Sequence, residues 1–237
     1  LHQKGEWTPI IVHGGGPLIN KLLKNLNVET TFVNGLRVTN NEVLDIVEMV
    51  LSGTVNKQVV RSIIESGGSS IGISGVDGCL LKAKPTSKEL GFVGDVVEVN
   101  TTIIQSIVKQ GYIPVVSPIG IDSDGQRYNI NGDVAASAVA KALGANLCFI
   151  SDIPGILVEK NGEKSKLDKV TKARVEELIE NKTIYGGMIP KVKAAIDGLV
   201  HKIPMVGIID GFEKNSLIDY VNGKNIGTKI VLEEEIA

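Results

Sequence analysis

Ile10-Ile11-Val12-His13-Gly14-Gly15-Gly16-Pro17 is the stretch that decides the fold of this chain. A short apolar strand runs straight into three glycines and a proline, and helical spacing begins there. Glycine has no Cβ, so a ligand can approach its backbone closely. Proline suits a first helical turn, where its missing N–H loses no bond. Leu18, Leu22, Leu23 and Leu26 recur at amphipathic spacing and predict a helix packed on a sheet. The open N–H groups and positive dipole end of such a helix favour a phosphate or a carboxylate. A glycine-rich turn that binds nothing reads the same way at this level.

Outward from that corner, short apolar strands alternate with helical patterns, which predicts an α/β protein with a mainly parallel sheet. Thr39-Asn40-Asn41-Glu42 has the wording of a capping box, and Val43, Ile46, Val47, Val50 and Leu51 form a helical stripe behind it. Strands are expected at Ser70–Ser74, Ile113–Ser117, Leu147–Ile150 and Met205–Ile209. Helices are expected at Thr101–Lys109, from Asp133 to a C-cap at Gly144, and near Thr171–Glu180, Pro190–Val200 and Leu217–Val221. Leu80–Ala83 and Phe92–Val99 break the rhythm and predict a β-hairpin excursion, a candidate lid over a pocket. A soft boundary is expected near Gly120–Gly125, dividing residues 1–120 from residues 121–237.

Composition excludes several classes. Hydrophobic residues make up 43% and charged residues 22%, as in ordinary globular chains. A net charge of −2 offers no attraction to nucleic acid or an anionic membrane, and 4% aromatics leave little for base stacking. No apolar run approaches the roughly 18 residues of a membrane span, and the first six residues do not read as a signal peptide. Cys79 and Cys148 stand far apart, outside any CxxC or metal-type spacing, and are expected as two buried, reduced thiols of a cytoplasmic protein. His2, His13 and His201 are not spaced as metal ligands, so no protein-held metal is expected. The P-loop, the dinucleotide fingerprint and the nucleophile elbow are all missing from the sequence.

Five further segments sit where strands end, the edge at which open parallel sheets bind ligands. In Asn34-Gly35-Leu36-Arg37-Val38-Thr39 a single arginine between a turn and a helix start is able to grip a carboxylate with its planar fork. A solvated surface arginine is the other reading. Tyr128-Asn129-Ile130-Asn131-Gly132-Asp133 sets polar residues at alternate positions of an extended segment, as a binding wall would; an Asx-rich turn capping the next helix through Asp133 is the other reading. Ser151-Asp152-Ile153-Pro154-Gly155-Ile156-Leu157 is either a nucleotide loop or a tight connection. Thr183-Ile184-Tyr185-Gly186-Gly187-Met188-Ile189-Pro190-Lys191 opens a helix and sets Lys191 in its first turns. Gly227-Thr228-Lys229-Ile230 reads as a closing turn and a terminal strand.

Taken together and in order, these segments resemble the amino acid kinase family. The resemblance rests on His13-Gly14-Gly15-Gly16-Pro17, Asn34 to Thr39, Asn129-Ile130-Asn131-Gly132-Asp133, Ser151-Asp152 with Gly155, Gly187 to Lys191, and Gly227-Thr228 with Ile230. The Asn-Gly-Leu-Arg-Val-Thr wording points to the branch acting on N-acetyl-L-glutamate. The resemblance implies a three-layer αβα sandwich with a mainly parallel sheet and a β-hairpin lid. It also implies phosphorylation of the side-chain carboxylate of N-acetyl-L-glutamate from ATP with Mg2+, an early step of arginine biosynthesis, in a cytoplasmic homodimer. A carboxylate nucleophile carries no proton at neutral pH, so such a site needs no general base; it must hold two anions together and neutralise the moving charge.

By the same resemblance, Gly15 and Gly16 offer N–H groups to acceptor and phosphoryl, Arg37 takes the acceptor's α-carboxylate, and Asn129 binds the acceptor. Lys191 neutralises the phosphoryl group, with Asp133 orienting the catalytic lysines. Asp152, Gly155, Ile156, Leu157, Thr183, Ile184 and Tyr185 line the nucleotide, and magnesium is held mainly by phosphates and water. Residues 1–120 become the acyl-amino-acid lobe and residues 121–237 the nucleotide lobe.

Two departures stand out. Relatives carry a Lys-x-Gly-Gly strand whose lysine is a second phosphoryl-stabilising cation; Lys4-Gly5-Glu6 is no substitute, and the expectation is that the strand belongs ahead of Leu1. Relatives also carry Ala where Gly132 stands. A sister kinase for another acyl-amino acid, and a catalytically dead sensor on the same scaffold, are the competing readings.

Overall fold

A computed structural model describes residues 5–160 and 163–233. The chain divides into two compact units, Leu1–Val139 and Ala140–Ala237.

The first unit is built on a parallel sheet. β1 (Ile11–Val12) is followed by α1 (Gly16–Asn25), then by the short hairpin of β2 (Phe32–Val33) and β3 (Leu36–Arg37). Asn34 and Gly35 both have positive φ (51° and 82°), as a two-residue hairpin turn of matching twist requires. Next come α2 (Asn41–Glu48), a π-helical turn over Met49–Val55 and α3 (Asn56–Glu65). They lead to β4 (Ser70–Ser74), β5 (Leu81–Pro85), β6 (Gly94–Val99), α4 (Thr101–Lys109) and β7 (Ile113–Ser117). β8 (Ile119–Ile121), β9 (Arg127–Asn129) and the start of α5 (Gly132–Leu143) complete the unit. β1, β7 and β4 pair in that order, all parallel, and every residue of β7 is buried. Ile19, Leu23, Val43, Ile46, Val47, Val50, Leu51 and Ile119 cluster beneath, so the stripe predicted on α2 is the core stripe.

The predicted hairpin is formed by β5 and β6, but it is no free-standing flap. β6-β5-β8-β9 make one four-stranded sheet, and Leu80, Leu81, Ala83, Leu90 and Val93 are buried. β9 pairs with β8, which keeps it in the first unit. The units therefore part within α5, later than the Gly120–Gly125 boundary the sequence suggested.

The second unit has β10 (Leu147–Ser151), the hairpin of β11 (Leu157–Lys160) and β12 (Glu163–Lys166), and β13 (Lys169–Thr171). α6 (Lys172–Glu180), α7 (Met188–Val200), β14 (Val206–Asp210), α8 (Ser216–Val221) and β15 (Thr228–Val231) follow. The sheet order is β10-β14-β15-β13, with β10 parallel to β14 and β15 antiparallel to it. Among the described residues no helix is long and apolar enough to cross a membrane.

Local expectations shift in four places. Leu26 is exposed and Ile19 takes its place inside, because α1 stops at Asn25 and the stripe ends with it. Thr39 does not cap α2. Its backbone is held between Leu90 and Phe92, so the cap passes to Asn40, whose Oδ1 accepts from the Val43 N–H at 2.9 Å. Asn131 rather than Asp133 heads α5, its Oδ1 accepting from the N–H groups of Asp133 (2.9 Å) and Val134 (3.2 Å). Cys79 is exposed in a tight turn and only Cys148 is partly covered; both thiols are free.

Candidate active site

In the first unit the glycine corner is fixed by packing. A Cβ on Gly15 would lie 2.7 Å from Leu51 Cδ2 and 3.3 Å from Val55 Cγ2, so the loop is pressed onto the π-helical turn with no room for a side chain. Gly14 and Gly16 face open space. α1 begins there with Pro17 in its first turn, no side-chain cap and no acidic residue, so its positive end carries no carboxylate of its own.

The Asn34–Gly35 turn delivers Arg37 into the protein. The residue is only 7% exposed. Its guanidinium lies 4.6 Å from the centre of the Phe32 ring, and Nη2 donates to Asn20 Oδ1 at 2.6 Å. Nη1 is buried and makes no hydrogen bond. Burial draws the pKa of the group down, though an arginine remains charged at any ordinary pH. A buried N–H edge without an acceptor is expensive, and an anion's oxygens satisfy it. The alternative of a solvated surface arginine is therefore excluded.

Thr39 ties this arginine to the next predicted residue. Its hydroxyl donates to the Arg37 carbonyl at 2.8 Å and accepts from Asn129 Nδ2 at 3.1 Å. Thr39 is fully buried, and its N–H and carbonyl bond Leu90 O and Phe92 N, so the β5–β6 hairpin is anchored at the same point. Ion pairs from Arg127 to Asp45 (2.9 Å) and to Glu48 hold β9 against α2. At the head of α5, Gly132 meets the His13–Gly14 peptide. A Cβ on it would lie 3.4 Å from His13 O and 3.5 Å from Gly14 Cα, ordinary contact distances. Asp133 stands in the first turn of that helix, half-buried.

Gly16, Arg37, Asn129 and Asp133 are thus brought to one region of the first unit through Asn20, Thr39 and Gly132. Sequence reasoning missed Asn20 and Phe32 as site residues, and quoted Thr39 within the Asn34–Thr39 segment without giving it a role in the site. Of the two missed, only Asn20 carried a usable signal, a polar residue one turn beyond the glycines.

In the second unit Lys191 is the fourth residue of α7, and its Nζ lies 5.0 Å from the centre of the Phe149 ring on β10. Such cation–aromatic contact helps to hold a lysine head in place. Asp152 is exposed just beyond the end of β10. Gly155 has φ +139°, and a Cβ there would strike Thr228 Oγ1. The same hydroxyl accepts from the Ile156 N–H at 2.9 Å and donates to Leu167 O at 2.5 Å, which fixes the loop from Asp152 to Leu157.

Ile156 and Ile184 are 2% and 3% exposed, so their side chains serve the core; the Ile156 N–H and carbonyl and the Ile184 N–H are bonded within the protein. Leu157 opens β11 half-covered, Thr183 is half-buried, and Tyr185 is 75% exposed ahead of α7. A residue the sequence did not flag, Phe212, is 85% exposed after β14, where the Gly211 N–H bonds Ser151 O at 2.8 Å. Among the described residues no group of three or more His, Cys, Asp or Glu side chains is arranged to hold a metal ion.

The family model described as the amino acid kinase family matches residues 1–206. An acetylglutamate kinase of Oceanobacillus iheyensis is 48% identical over 237 residues, covering 100% of this chain and 89% of the relative. One of Geobacillus sp. (strain WCH70) is 50% identical over 223 residues, covering 93% and 84%. Among solved structures, a protein of Streptococcus mutans UA159 superposes with a TM-score of 0.86 at 30% identity, covering 98% of this chain and 89% of that one. A carbamate kinase of Giardia lamblia at 17% identity and a TM-score of 0.66 shares the fold.

Proposed function

The chain belongs to the amino acid kinase family, and from that premise we propose that it is an enzyme that phosphorylates the side-chain carboxylate of N-acetyl-L-glutamate from ATP. The products are N-acetyl-L-glutamyl 5-phosphate and ADP, and the step belongs early in arginine biosynthesis. The observation that carries the reading is the Arg37 guanidinium, buried, steered by Asn20 and left with Nη1 unbonded. A dicarboxylic acceptor blocked at its amine has one carboxylate to be gripped and one to react. Arg37 grips the α-carboxylate and Asn129 binds the acceptor beside it.

One oxygen of the side-chain carboxylate forms a bond to the γ-phosphorus as the bond from that phosphorus to the β,γ-bridging oxygen breaks, and ADP leaves with the electron pair. No proton is transferred, so no general base is required. The demand is electrostatic: N–H groups of Gly15 and Gly16 and the ammonium of Lys191 meet charge spread over the phosphoryl oxygens. Asp133, close to the head of α5, orients the catalytic cations. Mg2+ enters with ATP as part of the substrate complex, held by phosphates and water.

In this reading the first unit is the acceptor lobe. The second is the nucleotide lobe, where Asp152, the segment from Gly155 to Leu157, and Thr183 to Tyr185 line ATP. The β5–β6 hairpin covers the acceptor and keeps water from the acyl phosphate. A cytoplasmic homodimer goes with the reading from the family resemblance.

The test is hydroxylamine trapping of the acyl phosphate with MgATP and N-acetyl-L-glutamate, run beside N-acetylated aspartate and aminoadipate. A hydroxamate from N-acetyl-L-glutamate supports the reading. One formed only from another acceptor makes the protein a sister kinase, and none from any leaves a binding protein.

A further inference from the structure

Asn56 is a polar residue 1% exposed in the first turn of α3, and its amide lies on the parallel sheet. Nδ2 donates to Val115 O on β7 (2.9 Å) and to Ile73 O on β4 (3.3 Å), while Oδ1 accepts from Lys57 Nζ at 3.0 Å. Lys57 Nζ also donates to Gly72 O at 3.0 Å. Gly72 makes room for the arrangement, since a Cβ there would collide with Asn56 Oδ1. These partners fix which end of the amide is which. Two backbone carbonyls require N–H groups, and an ammonium requires the oxygen.

The third neighbour of Nδ2 is His13 Nε2 at 3.3 Å. An amide nitrogen donates only and has two hydrogens for these three neighbours, so one N–H is shared between Ile73 O and Nε2, both at 3.3 Å, with Nε2 the accepting, unprotonated nitrogen of the ring. The proton then sits on Nδ1, which donates to Gly14 O at 2.9 Å. The Gly14 carbonyl and the Gly15 N–H belong to one planar trans peptide and point in opposite directions. Holding the carbonyl on the imidazole therefore turns the Gly15 N–H the other way. The His13 N–H itself is held by Val116 O at 3.2 Å, so the ring starts from a fixed backbone.

We infer that Asn56, acting through one tautomer of His13, is the positioning residue that aims the Gly15 N–H at the transferring phosphoryl group and the acceptor. The inference rests on the proposed kinase reading for its target, and on geometry alone for the tautomer. Burial holds the His13 imidazole below its ordinary pKa, against the opposing pull of Gly14 O, and a neutral ring is what the arrangement needs.

The test reads the tautomer first, without turnover. Long-range 1H–15N NMR on 15N-histidine protein at neutral pH, with His13 assigned from a His13→Phe variant, is expected to show Nδ1 protonated and Nε2 bare. A proton on Nε2, or on both nitrogens, overturns the inference. In Asn56→Asp, expected to place a carboxylate opposite Nε2, the proton moves to Nε2; an unchanged ring also overturns it.

Asn56 is buried, so that variant can fail to fold, and His13→Phe at a half-buried loop position supplies the second arm. It is expected to lower kcat at least tenfold with the KM for ATP within twofold and the melting temperature within a few degrees. A loss of melting temperature with kcat unchanged makes His13 merely structural and overturns the positioning role. Should the wild type turn over no acceptor, the kinase reading fails, while the tautomer still decides whether Asn56 sets His13.

Discussion

Arg37 Nη2 donates to Asn20 Oδ1 at 2.6 Å, and the neighbouring Nη1 is buried with no hydrogen-bond partner. Asn20 thus occupies one corner of the fork and leaves another for a ligand. Substituting Arg37 by Gln removes the charge-assisted bonds to the α-carboxylate and is expected to raise the acceptor KM about 10–100-fold. Asn20→Ala leaves the charge but frees the fork, with a smaller rise of about 3–10-fold, one neutral bond's worth. Steady-state kinetics with the acceptor varied at saturating MgATP checks both. The KM for ATP is expected to stay within twofold in each.

In the proposed reading Lys191 serves the other substrate. Its head is held over the Phe149 ring, and its proposed role is to meet phosphoryl charge that grows in the transition state. Lys191→Ala is expected to lower kcat by roughly 100–1,000-fold with modest changes in either KM, the signature of an interaction made mainly in the transition state. A loss appearing in the KM for ATP alone would assign Lys191 to ground-state binding.

Thr228 is a stability prediction in the second unit. Its hydroxyl is fully buried and satisfies both the Ile156 N–H and the Leu167 carbonyl. Thr228→Val keeps the shape and strands those groups, so about 1–3 kcal/mol of stability is expected to be lost in chemical denaturation. Thr228→Ser keeps the hydroxyl and is expected to lose less.

Gly132 predicts the opposite sign. A Cβ there meets only ordinary contacts with His13 and Gly14, and the residue opens a helix outside the left-handed region that favours glycine. Gly132→Ala is expected to stabilise the protein by about 0.4–1 kcal/mol by narrowing the unfolded ensemble, with turnover unchanged within twofold. Paired denaturation and initial-rate measurements check it.

The two thiols are expected to separate cleanly. Burial pushes the Cys148 thiol from 9.0 up to about 12, which cuts its thiolate fraction near pH 8 by about a thousandfold, whereas Cys79 is exposed. A thiol reagent at pH 8 should modify Cys79 promptly and Cys148 only after unfolding. Equal rates in the native protein would contradict that burial.

The strands and helices were legible because their signals are local. Ser70–Ser74, Thr101–Lys109 and Ile113–Ser117 fall where alternation and periodicity set them. What the sequence hid depends on contacts between distant residues. Thr39 looked like a cap because the four residues from it spell a capping box, yet a β-bridge to Gly91 claims its backbone and makes it the knot between Arg37 and Asn129. Asn56 carried no local sign at all. Its importance comes from two strands and a histidine meeting at one amide. Ile156 and Ile184 lie in segments that the family resemblance marks for nucleotide, but their side chains are buried in the core, which depends on packing no local pattern shows.

The central claim is that Arg37 reads the α-carboxylate while the side-chain carboxylate reacts. The most direct test compares N-acetyl-L-glutamate with its α-amide, in which the reacting carboxylate is intact, by hydroxamate formation in the wild type and in Arg37→Gln. The account predicts that the wild type prefers the natural acceptor by about a hundredfold in kcat/KM and that Arg37→Gln loses most of that preference. Equal turnover of the two acceptors by the wild type, or a preference untouched by Arg37→Gln, would contradict it.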